Sequence, residues 1–238
     1  MSTAAVRALH HHRPAEPARP VLCGHRLRVA PIRQDGPTTC TIACLRMIGR
    51  YFGREVDPSA AAATLFTDAA GCSFNTDLAR VARRLGLEAE CHGYNLYLNE
   101  PADGALAPDA LLAKMRATQA SLADPWYRPM LDSIVAALEE GVRYIVRRPD
   151  WGAIADYLRR GVPVIAVANY AALHGVRGDP FSGHDVLVTG FEGRKVFLID
   201  PLHGAEPCVD RDLLMFAIAS RSAIGTSEYL AAAFPAAT

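Results

Sequence analysis

The feature that most constrains this chain is the run Thr39-Cys-Thr-Ile-Ala-Cys-Leu-Arg-Met-Ile-Gly-Arg-Tyr-Phe-Gly53. Ile42, Leu45, Ile48 and Phe52 recur at helical spacing on one face, and Ala43, Cys44, Met47 and Tyr51 cover most of the remainder. Arg46 and Arg50 are its only charges. A helix apolar nearly all round belongs inside a core. Pro37 with Thr38 or Thr39 supplies the start signal, and Gly53 the stop. The first turn, at Cys40, is therefore expected to face a cleft or an interface.

The rest of the chain can supply that core. Of 238 residues, 50% are hydrophobic and 21% charged, which excludes disorder throughout. At ~100–200 residues per domain, the length predicts one domain with a tail or an insertion. Lys plus Arg number 25 and Asp plus Glu 25, so neither the basic excess nor the basic stripe of a nucleic-acid binder is present. No apolar run approaches the ~20 residues of a membrane span. The first twenty residues hold three prolines and His10, His11 and His12 without an apolar stretch, and read as a flexible tail, not a secretory signal. The six cysteines, 23, 40, 44, 72, 91 and 208, show no zinc-ribbon spacing, so reduced thiols in a cytoplasmic protein are expected.

Further helices are predicted from Asp57 to about Phe66, over Asn75–Leu85 and Trp151–Arg160, with a strand at Glu88–His92. Residues 99–150 read as a helical insertion (Pro108–Ala120 and Pro129–Glu140), turning at Asp124-Pro125-Trp126 and ending at Arg147 and Arg148 as a solvated helix end. Trp126 and Tyr127 suit either a lid over a cleft or a turn packed on the domain. Beyond Gly161 the period becomes extended, with strands at Pro163–Asn169, His184–Glu192 and Lys195–Asp200, the last two joined as a hairpin by Gly193-Arg194. Asp210–Ser220 closes the series as a helix. Helices first and strands later imply an α+β class.

Three placements converge on one chemistry. Cys40 starts the buried helix, where the dipole and free amides favour a thiolate. Gln34 lies in the loop approaching it, where its side-chain amide could reach the same point. His184 opens one hairpin strand and Asp200 closes the other, so the two are adjacent and Asp200 can orient the imidazole. Nucleophile, base, orienting carboxylate and oxyanion donor are all accounted for. His174, in a Gly/Arg-rich stretch, and His203, after Asp200-Pro201, are rim candidates, but neither begins a strand whose partner ends in a carboxylate. Asp185 points to the opposite face of its strand from His184. A Cys40/Cys44 metal pair lacks a second pair of ligands, and no metal or cofactor is expected.

At these residues the chain resembles the papain-like cysteine peptidases, and within them the bacteriocin-processing, double-glycine leader peptidases. The matching pieces are Gln34, Cys40 through Gly53, and Gly183 through Pro201, with weaker likeness in Trp151–Gly161 and Pro163–Val167. Cys40 and His184 are 144 residues apart, inside the ~130–150 of papain-type enzymes. Thr39 and Thr41 stand where that family has Asp and Gly beside the cysteine. The resemblance implies an α+β papain-like fold over residues 21–238, with a buried catalytic helix and a C-terminal antiparallel sheet. It implies acyl transfer through a thioester: Cys40 as nucleophile, His184 as base, Asp200 as orienting group and Gln34 as oxyanion donor. The substrate would be a peptide or another acyl or amide compound, free or carrier-bound. Hydrolysis is the leading reaction, transfer to an amine in peptide or natural-product biosynthesis the alternative, and an idle binding module the third reading. Oligomeric state is left open.

Overall fold

A computed structural model describes residues 25–67, 73–178, 182–224 and 228–236. The first twenty residues, Cys23 and Cys72 lie outside these. In chain order the elements are β1 (His25–Arg26), α1 (Cys40–Tyr51), α2 (Pro58–Ala62), α3 (Asn75–Arg84), β2 (Leu87–Gly93), α4 (Pro108–Ser121), α5 (Arg128–Glu139), β3 (Arg143–Val146), α6 (Trp151–Arg159), β4 (Val164–Asn169), α7 (Tyr170–His174), β5 (Gly183–Glu192), β6 (Lys195–Ile199), β7 (Cys208–Asp210), α8 (Arg211–Ile224) and β8 (Glu228–Pro235). Among the described residues no helix is long and apolar enough to cross a membrane.

One sheet organises the molecule, in the order β3-β2-β8-β4-β5-β6-β7, with β1 added against β5. The β2–β3 pair is parallel and the other pairs are antiparallel. Side chains alternate between its faces, as a pleated strand requires. Ile165, Leu187, Ile199, Ala231 and Ala233 join Leu45, Ile48 and Leu78 in one core. Val164, Ala166, Val186, Val188, Leu198 and Ala232 join Ile154, Leu158, Leu214 and Ile218 in the other. Helices thus cover both faces of the sheet, and α1 is as buried as its sequence demands: Leu45, Met47 and Ile48 are each about 1% exposed. The helix ends at Gly53, whose φ of +69° is the left-handed conformation that favours glycine.

Several expectations are corrected. The sheet is not confined to the C-terminal half, because β2 and β3 form one end of it and β2–β3 is parallel. The segment 99–150 is not wholly helical: β3 lies within it, so Arg147 and Arg148 follow a strand instead of ending a helix. Arg147 pairs with Asp150 at 2.6 Å, and Arg148 lies over the Tyr94 ring. The helix begun at Asp57 stops at Ala62, and His174 ends the short helix α7. Most consequentially, the alanine-rich C-terminal segment forms β8, pairing with β2 on one side and β4 on the other. Alanine is a poor strand former in isolation, but pairing on both edges and burial of Ala231, Ala232 and Ala233 in the two cores override that propensity.

The insertion braces the cleft. Ser133 of α5 donates to Asp77 Oδ1 of α3 at 2.8 Å and meets Thr76 Oγ1 at 2.5 Å. Asp77 also accepts from the Phe66 amide and from Arg80. These bonds hold the amino end of α3, whose first residue, Asn75, lines the cavity beside Cys40. Tyr127 stacks on Tyr97 with ring centroids 4.6 Å apart, and Trp126 is exposed.

Candidate active site

Cys40 is the first residue of α1 and is partly buried. The expected cap does not form: the Thr39 hydroxyl turns back to Gly36, donating to its carbonyl and accepting from its amide. No side chain caps α1. First-turn amides without a cap are the donors an oxyanion needs, and they carry the positive end of the helix dipole. Cys44, one turn on, is fully buried against the Asp185 carbonyl, and burial pushes its thiol well up. Cys91 is also buried, and Cys208 is exposed.

His184 stands at the start of β5, 6% exposed. Its Nε2 donates to Asp200 Oδ1 at 2.7 Å. Burial works against a charged ring, but the hydrogen bond and negative charge of Asp200, together with the nearby Cys40, hold His184 up at about 9. Since Nε2 is committed to Asp200, Nδ1 is the nitrogen left for the thiol. Asp200 Oδ1 also accepts from the Leu202 amide. Burial alone would raise the Asp200 carboxyl, but the His184 bond and charge bring it below its ordinary value.

His174 approaches the same carboxylate, its Nε2 3.2 Å from Asp200 Oδ2 but without hydrogen-bond alignment. Burial lowers its pKa. The exposed His203 lies against it, ring centroids 6.3 Å apart. His174, His184 and Asp200 bring three ligand atoms within 4.8 Å of one another, as a divalent ion would require. A metal there would displace the proton that His184 now donates to Asp200.

Gln34 is placed differently from expectation. Its backbone amide donates to the Pro201 carbonyl at 2.8 Å, tying the loop before α1 to the segment after Asp200. Its side-chain Nε2 donates to the Gly36 carbonyl at 2.6 Å, and Oε1 is buried without a partner. The residue therefore reaches the neighbourhood of α1, with its amide spent on the loop itself.

Sequence reasoning did not anticipate the wall beside Cys40. Asp185, on the other face of β5 from His184, accepts from Thr41 Oγ1 at 2.5 Å. Thr41 in turn accepts from Ser73 Oγ at 3.0 Å. Arg221 of α8 and Asn75 of α3 complete this wall. Alternation along β5 pointed Asp185 away from His184, but nothing local links it to residues 36 and 144 positions away.

A helix with a cysteine at its start, set against a sheet whose hairpin carries histidine beside aspartate, is the α+β papain-like architecture. Residues 26–216 match the model of the Peptidase_C39 like family, and the chain belongs to that family. As a member it is of cysteine-peptidase type. Among solved structures it is similar to a C39-like peptidase from Bacillus anthracis, at 15% identity over 90% of this chain and 99% of that one, with a TM-score of 0.52. It is also similar to a double glycine motif protease from an AMS/PCAT transporter in complex with its leader peptide, at 16% identity over 89% and 95% of the two chains and a TM-score of 0.45. No match is found among the curated proteins.

Proposed function

We propose that the chain hydrolyses amide bonds of peptides through a thioester on Cys40. The observation that carries this reading is the position of His184, bonded to Asp200 through Nε2 and lining one cavity with Cys40 at the start of α1. The Cys40 thiolate attacks the carbonyl carbon, and the uncapped amides at the start of α1 stabilise the oxyanion. As the C–N bond breaks, the His184 imidazolium gives its proton to the leaving amine. Water then attacks the thioester, surrendering a proton to His184, and the acid product leaves with the thiol restored. Asp200 keeps the ring in one tautomer and stabilises its charged form. Gln34 serves as oxyanion donor once its amide exchanges Gly36 for the substrate.

The test is incubation with a peptide library and mass spectrometry of the products, with and without a primary amine. Cleaved acids are expected from the native chain, and none from a folded Cys40→Ala variant. Undiminished cleavage by that variant would overturn the reading. Products carrying the added amine in place of acids would move the assignment to amide-bond formation.

A further inference from the structure

The wall beside Cys40 has a polarity that the hydrolytic steps do not use. A cavity of about 50 Å³ opens there, bounded by Cys40, Thr41, Asn75, His184, Asp185 and Arg221. A single water needs only ~10–15 Å³ of such space, so a small polar group fits. The Ser73 and Thr41 hydroxyls in this wall are already committed. Ser73 donates to Thr41, Thr41 donates to Asp185, and the chain of bonds ends on that carboxylate.

Asn75 adds donor capacity. Asn75 is 2% exposed, and its Nδ2 meets no acceptor in the structure. A buried amide left unpaired is costly, so such a group is retained where an acceptor arrives from outside. Beside it lies Arg221, 4% exposed, whose charge acts on Asp185. Gly183 makes room for this guanidinium: a Cβ there would come within 2.8 Å of Arg221 Nε. The amino end of α3 borders the cavity as well, through Phe74 and Asn75, and no side chain caps it. With Arg221 balancing the Asp185 carboxylate in the same lining, the unpaired amide and the helix amino end favour an oxyanion over a neutral acceptor.

We propose that this cavity is a substrate subsite for a carboxylate, held by Asn75 Nδ2 and the Arg221 guanidinium. It deepens the peptidase reading and rests on Cys40 being the nucleophile. The substrate class it selects is a peptide with an acidic side chain, or a terminal carboxylate, next to the bond that is cut.

The test needs no known substrate. The rate at which iodoacetate alkylates Cys40 is divided by that of iodoacetamide, at fixed pH and ionic strength. The ratio cancels the intrinsic reactivity of the thiol and keeps the preference for the anion. The His184 imidazolium also favours iodoacetate, so the change between variants carries the answer. Arg221→Met is expected to lower the ratio roughly tenfold, Asn75→Ala severalfold, and Arg221→Lys less than Arg221→Met. In the native chain, the α-amide of N-acetyl-aspartate is expected to protect Cys40 from iodoacetamide where the α-amide of N-acetyl-asparagine, which carries no carboxylate, does not, a measurement independent of whether the variants fold. An unchanged ratio in folded variants, or equal protection by the two compounds, would overturn the subsite. Failure of either reagent to label Cys40 ahead of the other thiols would instead overturn Cys40 as nucleophile, and the subsite with it.

Discussion

His184 and Asp200 stand 16 residues apart in sequence, yet the Nε2–Oδ1 distance is 2.7 Å. The β5–β6 hairpin closes that gap. Leu187 pairs with Ile199 and Val188 with Leu198, so the start of one strand lies beside the end of the other. The bond sits where the hairpin faces the amino end of α1, and three consequences of this arrangement and its supports can be measured, with a fourth elsewhere in the fold.

Replacing Asp200 by Asn removes the negative charge that raises His184 and leaves at most a neutral acceptor for Nε2. The imidazolium is the acid that releases the amine, and in the native chain it is lost as pH rises through about 9. Activity is therefore expected to be retained below that value and to fall above it. In Asp200→Asn the fall should begin at lower pH, with kcat reduced about 10²–10⁴-fold. A pH profile of kcat/KM on a cleaved peptide checks both effects, and an unmoved alkaline limb would remove Asp200 from its role.

Gln34→Ala should lower kcat about 10²–10³-fold with little change in KM, as loss of one oxyanion donor does. A loss confined to thermal stability would show that the Gln34 side chain only holds its loop, through Gly36.

Ser133→Ala tests the brace between α5 and α3. The variant removes a donor from buried Asp77, whose carboxyl is already pushed up by burial. A loss of about 1–3 kcal/mol is expected in urea unfolding at neutral pH. A stability equal to the native one would make the contact incidental.

His92 provides a pH signature away from the cleft. Its Nε2 donates to the Tyr157 hydroxyl at 2.9 Å, and that hydroxyl donates to Glu90. Burial drives His92 down from 6.5 to about 4. The unfolded chain takes up this proton near 6.5 and the folded one only near 4. The stabilisation is thus complete above 6.5 and is lost as pH falls through 4, by about 3 kcal/mol in all. Melting temperatures from pH 7 to pH 4 should fall less steeply in His92→Gln than in the native chain.

The sequence by itself determined the burial of α1, the place of Cys40 at its start and the meeting of His184 with Asp200. Each follows from a short-range rule: helical spacing of apolar residues in the first case, and strand adjacency across a two-residue turn in the last. Only the tertiary structure decided that the alanine-rich C-terminus runs through the middle of the sheet, where partners on both edges and burial override its weak strand propensity. It also decided that Gln34 spends its amide on Gly36, and that His174 faces the free oxygen of Asp200. The cavity beside Cys40 was least legible of all. Asn75, Asp185 and Arg221 come from α3, β5 and α8, and no local periodicity couples a helix start, a strand and a late helix that only packing brings together.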